Sequence, residues 1–446
     1  MPSKEKGYVE LLVLSDDFTG ALDTGVQFAK QGVRTSVTSK LDLTKYDLDF
    51  EGTTALVINT ESRHLKPCEA HRKVKKVTLN FVRLIRSHWG EKALNRIKFY
   101  KKTDSLLRGN VGEELTALSE AVASDRLMFV PGFPQTGRTT VHGVQLVGGT
   151  PIHESSFAKD RLNPIPESSV SGIVQRNNRN VATVIVGLDA VRANRPLITE
   201  SGGHNMGGVT VYVFDAVTDD DLDRVGRLLR DHQLMRVTAG CAGFAGVLPD
   251  ILELPRHRIE SATYRAPLLV LCGSLTELSR RQVEIAVKHG FRKTSLGIEE
   301  KLLPDFSHSE RGRKIIEGIS DQLQSNKHCI IATGDTTSRE EVAYAKSRKI
   351  DTDRIASLIA ENLAGLVRGI LNRFSLSTLV IFGGDTTMAL MKVLGIESLT
   401  PQEEIMPGVP VSVCNERNLC LITKSGGFGD EDVLVRIMNR SMHTAD

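Results

Sequence analysis

Two adjacent carboxylates, Asp16 and Asp17, stand between a short apolar run, Val9 to Leu14, and a helical pattern that begins at Phe18-Thr19-Gly20. A second polar cluster, Lys101-Lys102-Thr103-Asp104-Ser105, follows another apolar run and leads into Arg108-Gly109-Asn110. Carboxylates accept hydrogen bonds from hydroxyl groups, while Lys and Arg hold an acid group, Arg often bidentately. Together these residue types suit a small polyhydroxylated acid. Arg63, just beyond the run Ala55–Asn59, can belong to the same rim. Each residue also has a plainer explanation: Asp17 or Thr19 can cap the following helix, and loop charges can pair in solvent. Clustering at several strand ends favours a site, because open α/β sheets bind ligands there.

The second half of the chain repeats a different device. Apolar runs end at Ser274, at Gly334-Asp335-Thr336-Thr337, at Gly383-Gly384-Asp385-Thr386-Thr387 and at Lys424-Ser425-Gly426-Gly427-Phe428-Gly429. Paired glycines let backbone amides come close to an anion, and a helix start beyond them offers unsatisfied N–H groups and a positive dipole end. One such turn is commonly only a turn; several in one domain favour a phosphate or nucleotide site. Asp430, Glu431 and Asp432 follow the last turn and would repel a polyphosphate. They either cap the next helix or approach a bound magnesium through water. The familiar signatures are missing: no GxxxxGK[ST], no GxGxxG after the first strand, no protein-kinase catalytic loop, no HExxH, CxxC or GxSxG.

These clusters need elements to hold them. Short apolar runs alternate with amphipathic stretches, the pattern of parallel α/β architecture. Strands are expected at Val9–Leu14, Thr35–Thr38, Ala55–Asn59, Ile97–Lys101, Leu127–Val130, Ala182–Val186, Val209–Phe214 and Arg236–Thr238. A second set is expected at Leu268–Cys272, Cys329–Thr333, Leu379–Phe382, Val411–Cys414 and Leu419–Thr423. Leu22, Val26 and Ala29 share a face of the first helix, and Gly32 stops it. The stretch from Pro131 to about Pro166, rich in Gly, Pro and hydroxyls, reads as a long functional loop bearing Arg138, His142, His153 and Arg161.

A chain of 446 residues exceeds one ordinary core. The charged, weakly patterned segment Pro255–Arg265 separates the two strand sets. The expected fold is therefore α/β, with two domains, each a mostly parallel sheet flanked by helices, and a ligand cleft between them. Residues 1–256 would form a polar acid-binding domain and 257–446 an anion-binding domain. Neither half shows the short period of a solenoid.

Composition narrows the function further. The net charge is only +3, with no long run of one sign, so a nucleic-acid groove or membrane-surface role has no electrostatic support. The six cysteines are scattered without paired spacing and read as reduced core residues. The first residues lack the apolar stretch of a signal peptide, and no run approaches the ~20 apolar residues of a membrane span. A cytoplasmic protein is expected. The sequence leaves oligomeric state open, a homodimer included.

At these residues the chain resembles the four-carbon acid sugar kinase family over nearly its whole length. The resemblance rests on Asp16-Asp17-Phe18-Thr19-Gly20-Ala21, on Lys101 to Gly109, on Pro131-Gly132-Phe133-Pro134-Gln135-Thr136-Gly137-Arg138-Thr139, on Gly383-Gly384-Asp385-Thr386 and on Pro407-Gly408-Val409-Pro410. It implies ATP-dependent phosphorylation of the terminal hydroxyl of a tetronate, with the acid in the N-terminal domain and the nucleotide in the C-terminal one. By similarity Asp17, Arg63, Lys102, Thr103, Asp104, Ser105 and Arg108 would touch the substrate. Ser274, Gly383, Gly384, Asp385, Thr386, Ser425, Gly426, Gly427 and Phe428 would touch ATP. The stretch Asp23 to Gly32 looks most like the D-threonate kinase branch. Ala21-Leu22 replaces a frequent Ser-Asn of that branch, and Leu106 a common Thr of the wider family.

Phosphoryl transfer asks mainly for alignment and charge stabilisation. Magnesium is expected to bridge the ATP phosphates, and Asp17 or Asp104 to orient the acceptor hydroxyl and take its proton, with Asp17 ranked first. Metal ligands are not assigned. Kinases for D-erythronate, L-threonate or a 3-oxo-tetronate are the alternatives within this chemistry, and a non-catalytic sugar-acid or nucleotide sensor is the alternative outside it.

Overall fold

Short runs of leucine, isoleucine and valine become strands because they are too short for helices and are buried on both faces. The computed structural model describes residues 9–44, 52–159, 164–178, 180–195, 208–258, 263–273, 276–334, 338–414, 416–425 and 427–443. The chain divides into two compact units, Met1–Ile259 and Glu260–Asp446.

In the first unit the strands are β1 (Leu11–Ser15), β2 (Thr35–Thr38), β3 (Ala55–Asn59), β4 (Lys98–Lys102), β5 (Arg126–Val130), β6 (Arg138–Val141), β7 (Val144–Val147), β8 (Thr150–Pro151), β9 (Val181–Val186), β10 (Val209–Phe214) and β11 (Val237–Gly240). Eight of them pair in the order β2-β3-β1-β4-β11-β5-β10-β9, parallel throughout. Every residue of β1 and β3 is buried, as parallel strands covered by helices on both faces require. Leu12, Leu14, Leu56, Ile58 and Phe99 face one side and pack with the helices Pro67–Arg96 and Val111–Ala121. On the first of these helices Val74, Val77, Phe81 and Ile85 recur at three- and four-residue spacing, and Phe81 meets Phe99 edge to face at 6.4 Å. Order along the sheet reverses at β1: the chain moves out to β2, returns to β3, then crosses to β4. That reversal is where ligand crevices form in such sheets.

The second unit repeats the plan. Its strands are β12 (Leu268–Cys272), β13 (Arg292–Ser295), β14 (Cys329–Ala332), β15 (Thr378–Phe382), β16 (Ser398–Glu404), β17 (Pro410–Cys414) and β18 (Leu419–Lys424), in the order β13-β14-β12-β15-β18-β17-β16. The first five in that order are parallel; β17 runs antiparallel to both β18 and β16. The reversal again lies at the first strand, β12, between β14 and β15.

The expected α/β architecture is what the chain adopts, and most strand positions differ from expectation by a residue or two at an end. In the second unit two strands were not expected: β13 is Arg-Lys-Thr-Ser and β16 carries a proline and two glutamates, so neither reads as an apolar run. The expected long loop after Val130 needs correction. It contains a small antiparallel sheet, β6-β7-β8, whose first turn has positive φ at His142 and Gly143. Asp215 holds that turn by accepting from the His142 and Gly143 amides at 2.5 and 2.9 Å. Arg161 lies outside the described residues. All six cysteines are free; five are buried, but Cys68 is exposed, contrary to a core role. Among the described residues no helix is long and apolar enough to cross a membrane.

Candidate functional site

Parallel register brings the strand ends of the first unit into one row. Ser15 of β1 stands opposite Asn59 of β3 and Lys102 of β4, and Lys102 stands opposite Gly240 of β11. The polar clusters leave from this row.

Asp17 does cap the helix Phe18–Ala29, and it faces the site as well. Its Oδ1 accepts from the Gly20 amide at 3.1 Å and its Oδ2 from the Thr19 hydroxyl at 2.6 Å. Arg63 lies among three carboxylates: Nε donates to Asp16 Oδ2 at 2.7 Å, Nη2 to Asp17 Oδ1 at 2.6 Å, and Nη2 is 3.6 Å from Asp104 Oδ1. The loop carrying Arg63 is pinned by Asn110, whose side-chain amide donates to the Ser62 and Leu65 carbonyls at 2.9 Å each. Arg108 grips Asp104 with a fork, Nε to Oδ2 at 2.8 Å and Nη2 to Oδ1 at 3.0 Å, and the Leu106 and Arg108 amides also donate to Oδ2. Asp104 is thereby saturated.

Lys101 and Lys102 point to opposite faces of β4, as strand alternation demands. Lys101 is buried against Glu114, 2.8 Å away, and donates to the Lys102 carbonyl at 2.8 Å, which steadies the strand end from below. Lys102 projects into the site, with Nζ 3.7 Å from Asp17 Oδ1 and 3.9 Å from Asp16 Oδ1. Its path runs over Gly20, where an added Cβ would lie 2.0 Å from Nζ and 2.5 Å from Asp17 Oδ1. Gly20→Ala is therefore expected to displace Lys102 and Asp17 and to lower kcat/KM for the sugar acid by at least about tenfold. The KM for ATP should stay unchanged; steady-state kinetics with each substrate varied reads both.

The charges hold one another ionised. Burial works to raise the Asp16 carboxyl, but Arg63 and Lys102 outweigh it and hold it at about 2. Burial also opposes ionisation of Asp104, and Arg108 and Arg63 carry it well below the usual carboxylate range. Burial disfavours the cations likewise, yet the surrounding carboxylates hold Arg63 and Lys102 above their ordinary values. Asp16, Asp17 and Asp104 are thus matched by Arg63, Lys102 and Arg108. Arg138, buried at the start of β6, adds a fourth cation close enough to feel Asp104 and Arg108. Arg138 also feels Asp23, so the cluster stays near charge balance and presents cations and carboxylates together, as a hydroxylated acid requires. Among the described residues the Thr103 hydroxyl and Asp16 Oδ1 are buried polar atoms with no hydrogen-bond partner. Ser105 joins through its carbonyl, which accepts from Gln145 of β7 at 3.0 Å.

In the second unit the strand ends also align: Cys272 stands opposite Phe382, and Phe382 opposite Lys424. Gly383 has φ +113, a conformation that side-chain-bearing residues rarely adopt, and it opens the helix Gly384–Leu394 directly after β15. Its amide donates to the Lys424 carbonyl at 2.9 Å, and its carbonyl accepts from the Thr387 amide and hydroxyl. Asp385 and Thr386 lie in the first turn of that helix. After β18 the Phe428 amide donates to the Ser425 carbonyl at 3.2 Å, closing a turn that includes Gly427. The Phe428 ring lies on Gly408, which explains the Pro407-Gly408 segment: a Cβ there would come within 2.3 Å of the ring. Asp430 and Asp432 pair with Arg436, and Glu431 with Arg281, so the acids after the turn are spoken for at the surface. Ser274 and Gly426 lie outside the described residues.

Sequence reasoning placed Asp16 in the first cluster and Arg138 on the functional loop without giving either a contact, and it gave no separate role to Gly20, Asn110 or Lys424. Their signal is weak in one dimension: Gly20 and Asn110 matter for what they make room for or pin, and Arg138 arrives by the small sheet.

Residues 11–248 match the family model described as a sugar-binding N-terminal domain, and residues 269–434 the one described as a nucleotide-binding C-terminal domain. The chain belongs to the four-carbon acid sugar kinase family. Within that family it is 30% identical to a D-threonate kinase of Salmonella typhimurium, over 96% of this chain and 97% of the relative. It is 27% identical to a D-erythronate kinase of Heliobacterium modesticaldum (89% and 88%) and 28% identical to a 3-oxo-tetronate kinase of Cupriavidus necator (94% of each). The fold is shared with a crystal structure of a Haemophilus influenzae protein, at a TM-score of 0.67, 20% identity and coverage of 97% and 100%.

Proposed function

We propose that the protein is an ATP-dependent kinase that phosphorylates the 4-hydroxyl of a four-carbon sugar acid, D-threonate foremost, in sugar-acid catabolism. The observation that carries this reading is the charge-balanced cluster at the β1 and β4 ends with Arg138 added, since it offers hydroxyl acceptors and anion donors together. Arg63, Lys102, Thr103, Ser105 and Arg108 would hold the acid. The turns at Gly383–Thr386 and Ser425–Phe428, with Ser274, would hold the phosphates.

In the reaction the acid's 4-oxygen attacks the γ-phosphorus of ATP, the bond from that phosphorus to the β,γ-bridging oxygen breaks, and ADP leaves. Asp17 would take the proton from the 4-hydroxyl. Asp104, clamped by Arg108, would anchor rather than act as base. Among the described residues no group of three His, Cys, Asp or Glu side chains is placed to hold a metal by itself. Magnesium bound to the nucleotide would supply charge neutralisation at the phosphates. As a consumer of ATP the enzyme would work in the cytoplasm.

Magnesium-dependent ADP release, measured with D-threonate, D-erythronate, L-threonate and 3-oxo-tetronates, tests the reading. Release is expected with D-threonate at the highest kcat/KM. Preference for another tetronate would correct the substrate, and binding without turnover of any acid would make the protein a sensor instead.

A further inference from the structure

A lysine at the end of a core strand is buried beneath the second glycine turn. Lys424 closes β18 and is only 1% exposed. Its ammonium donates to the Ser425 carbonyl and to the Phe428 carbonyl, each at 3.1 Å, and reaches the Ser279 hydroxyl at 3.4 Å. It also lies 4.4 Å from the centre of the Phe382 ring, a cation–π contact in a desolvated place. Phe382 is the residue before Gly383, and the Gly383 amide donates to the carbonyl of Lys424 itself. One residue therefore touches both glycine turns, one through its ammonium and the other through its backbone and the ring.

Gln282 supports the same turn from the helix Glu277–Lys288. Its side-chain amide donates to the carbonyls of Phe428, Gly429 and Asp430 at 3.3, 3.3 and 2.9 Å. With the carbonyls of Ser425, Phe428, Gly429 and Asp430 drawn inward to Lys424 and Gln282, the conformation of the turn depends on these two side chains. Within the turn the Phe428 amide closes on the Ser425 carbonyl, and beyond it the Asp430 amide meets Met406 Sδ. A turn built this way needs a cation beneath it, because a buried carbonyl without a donor is costly.

We propose that Lys424 is a positioning residue for the nucleotide: its charged ammonium shapes the two glycine turns and thereby sets the affinity for ATP. This rests on the reading that those turns hold the nucleotide. Lys424 need not touch the phosphates, since it acts through the carbonyls of Ser425 and Phe428.

The charge on Lys424 is finely held. Burial pushes the ammonium down to about 8, and the Cys272 thiol on β12 is the titratable group that opposes it. From the helix Glu277–Lys288 it meets Ser279, and from β15 the Phe382 ring, neither of which titrates in this range. The acids that follow the turn are engaged by Arg436 and Arg281 instead. ATP affinity is therefore expected to weaken as pH rises through about 8, when the cation–π contact and the charge-assisted bonds are lost. Stability moves the other way. The folded value lies below the ordinary 10.5, so between the two the unfolded chain retains a proton that the folded chain has released. Raising pH through that window adds stability from this group, and weaker ATP binding there cannot be unfolding that Lys424 causes.

The test is steady-state kinetics from pH 7 to 9.5 on the full-length wild-type, Lys424→Met, Lys424→Arg and Gly383→Ala proteins, with calorimetric titration of ADP. At pH 7 Lys424→Met is expected to raise the KM for ATP and the Kd for ADP roughly tenfold or more, the scale of a lost charge-assisted hydrogen bond. The KM for the sugar acid should stay within about twofold, and the rise of KM for ATP above pH 8 should disappear. Lys424→Arg should keep affinity and remove the alkaline rise. Unchanged KM for ATP in Lys424→Met, with Gly383→Ala impaired, would overturn the role of Lys424 alone; both variants unchanged would overturn the placing of the nucleotide at these turns. If Lys424→Met does not fold, the wild-type profile decides: a KM for ATP that is flat across pH 8 rules the proposal out.

Discussion

Asp17→Asn is expected to lower kcat by about 10²- to 10⁴-fold while leaving the KM for D-threonate within a few-fold of the wild-type value, the loss that follows removal of a general base. Three carboxylates compete for the role. Asp16 is only 4% exposed in its side chain and is tied to Arg63. Asp104 is 9% exposed and saturated by Arg108 and two backbone amides. Asp17, at 19%, is the one with an open approach, and it stands at the carboxyl end of the central strand. Asparagine caps helices about as well as aspartate, so the variant retains the bond to the Gly20 amide and the helix start. Its amide nitrogen cannot accept a proton. Steady-state kinetics with unchanged thermal stability would isolate the chemical effect, and near-native turnover would remove Asp17 from the chemistry.

Arg63→Met should damage both folding and function. The guanidinium neutralises Asp16 and Asp17 directly and lies 3.6 Å from Asp104; Asp16 and Asp104 are shielded from water, and Asp17 is open on one side only. Removing one partner of a buried ion network costs about 3–5 kcal/mol, because the remaining charges stay buried without compensation. A distinctive pH signature accompanies the loss. In the wild-type protein the depressed Asp16 and Asp104 contribute stability that is fully present above the ordinary value near 3.8 and is lost as pH falls through their folded values. In the variant Asp104 keeps Arg108, but Asp16 loses the strongest of its cationic partners while burial, its largest influence, remains, so the folded Asp16 carboxyl rises above that ordinary value. Lowering pH from 7 to 5 should then stabilise Arg63→Met while leaving the wild-type protein almost unaffected. Melting curves at the two pH values check this, and parallel behaviour of the two proteins would contradict the network. D-threonate turnover should be largely lost in the same variant.

The architecture was readable because β1, β3, β12 and β15 are continuous apolar runs, which only a strand covered on both faces explains. The acid and cation clusters at their ends were readable for the same reason: a polar group directly after such a run must emerge at the sheet's carboxyl edge. Other parts obeyed rules that short windows do not display. β6 is Arg-Thr-Thr-Val, four residues whose pairing depends on β7 and on Asp215, more than seventy positions away. Gly20 looks like any small residue in a first helical turn until Lys102 is placed above it. Lys424 reads as a solvated turn residue, since a lysine beside serine and glycine normally is one, and only the converging carbonyls and the Phe382 ring show that it is buried. Asp16 and Asp17 are neighbours of identical type that both bond Arg63, and their division into a buried anchor and an approachable carboxylate shows only in their exposure, 4% against 19%, once the loop after β3 is in place.

Phosphorus NMR of wild-type protein incubated with D-threonate, ATP and magnesium would test the transfer itself. The expected spectrum shows ADP and a new phosphomonoester resonance coupled to the two protons on carbon 4, in equal amounts. ATP left intact, conversion to ADP and inorganic phosphate alone, or phosphate attached at another carbon would contradict the proposed reaction.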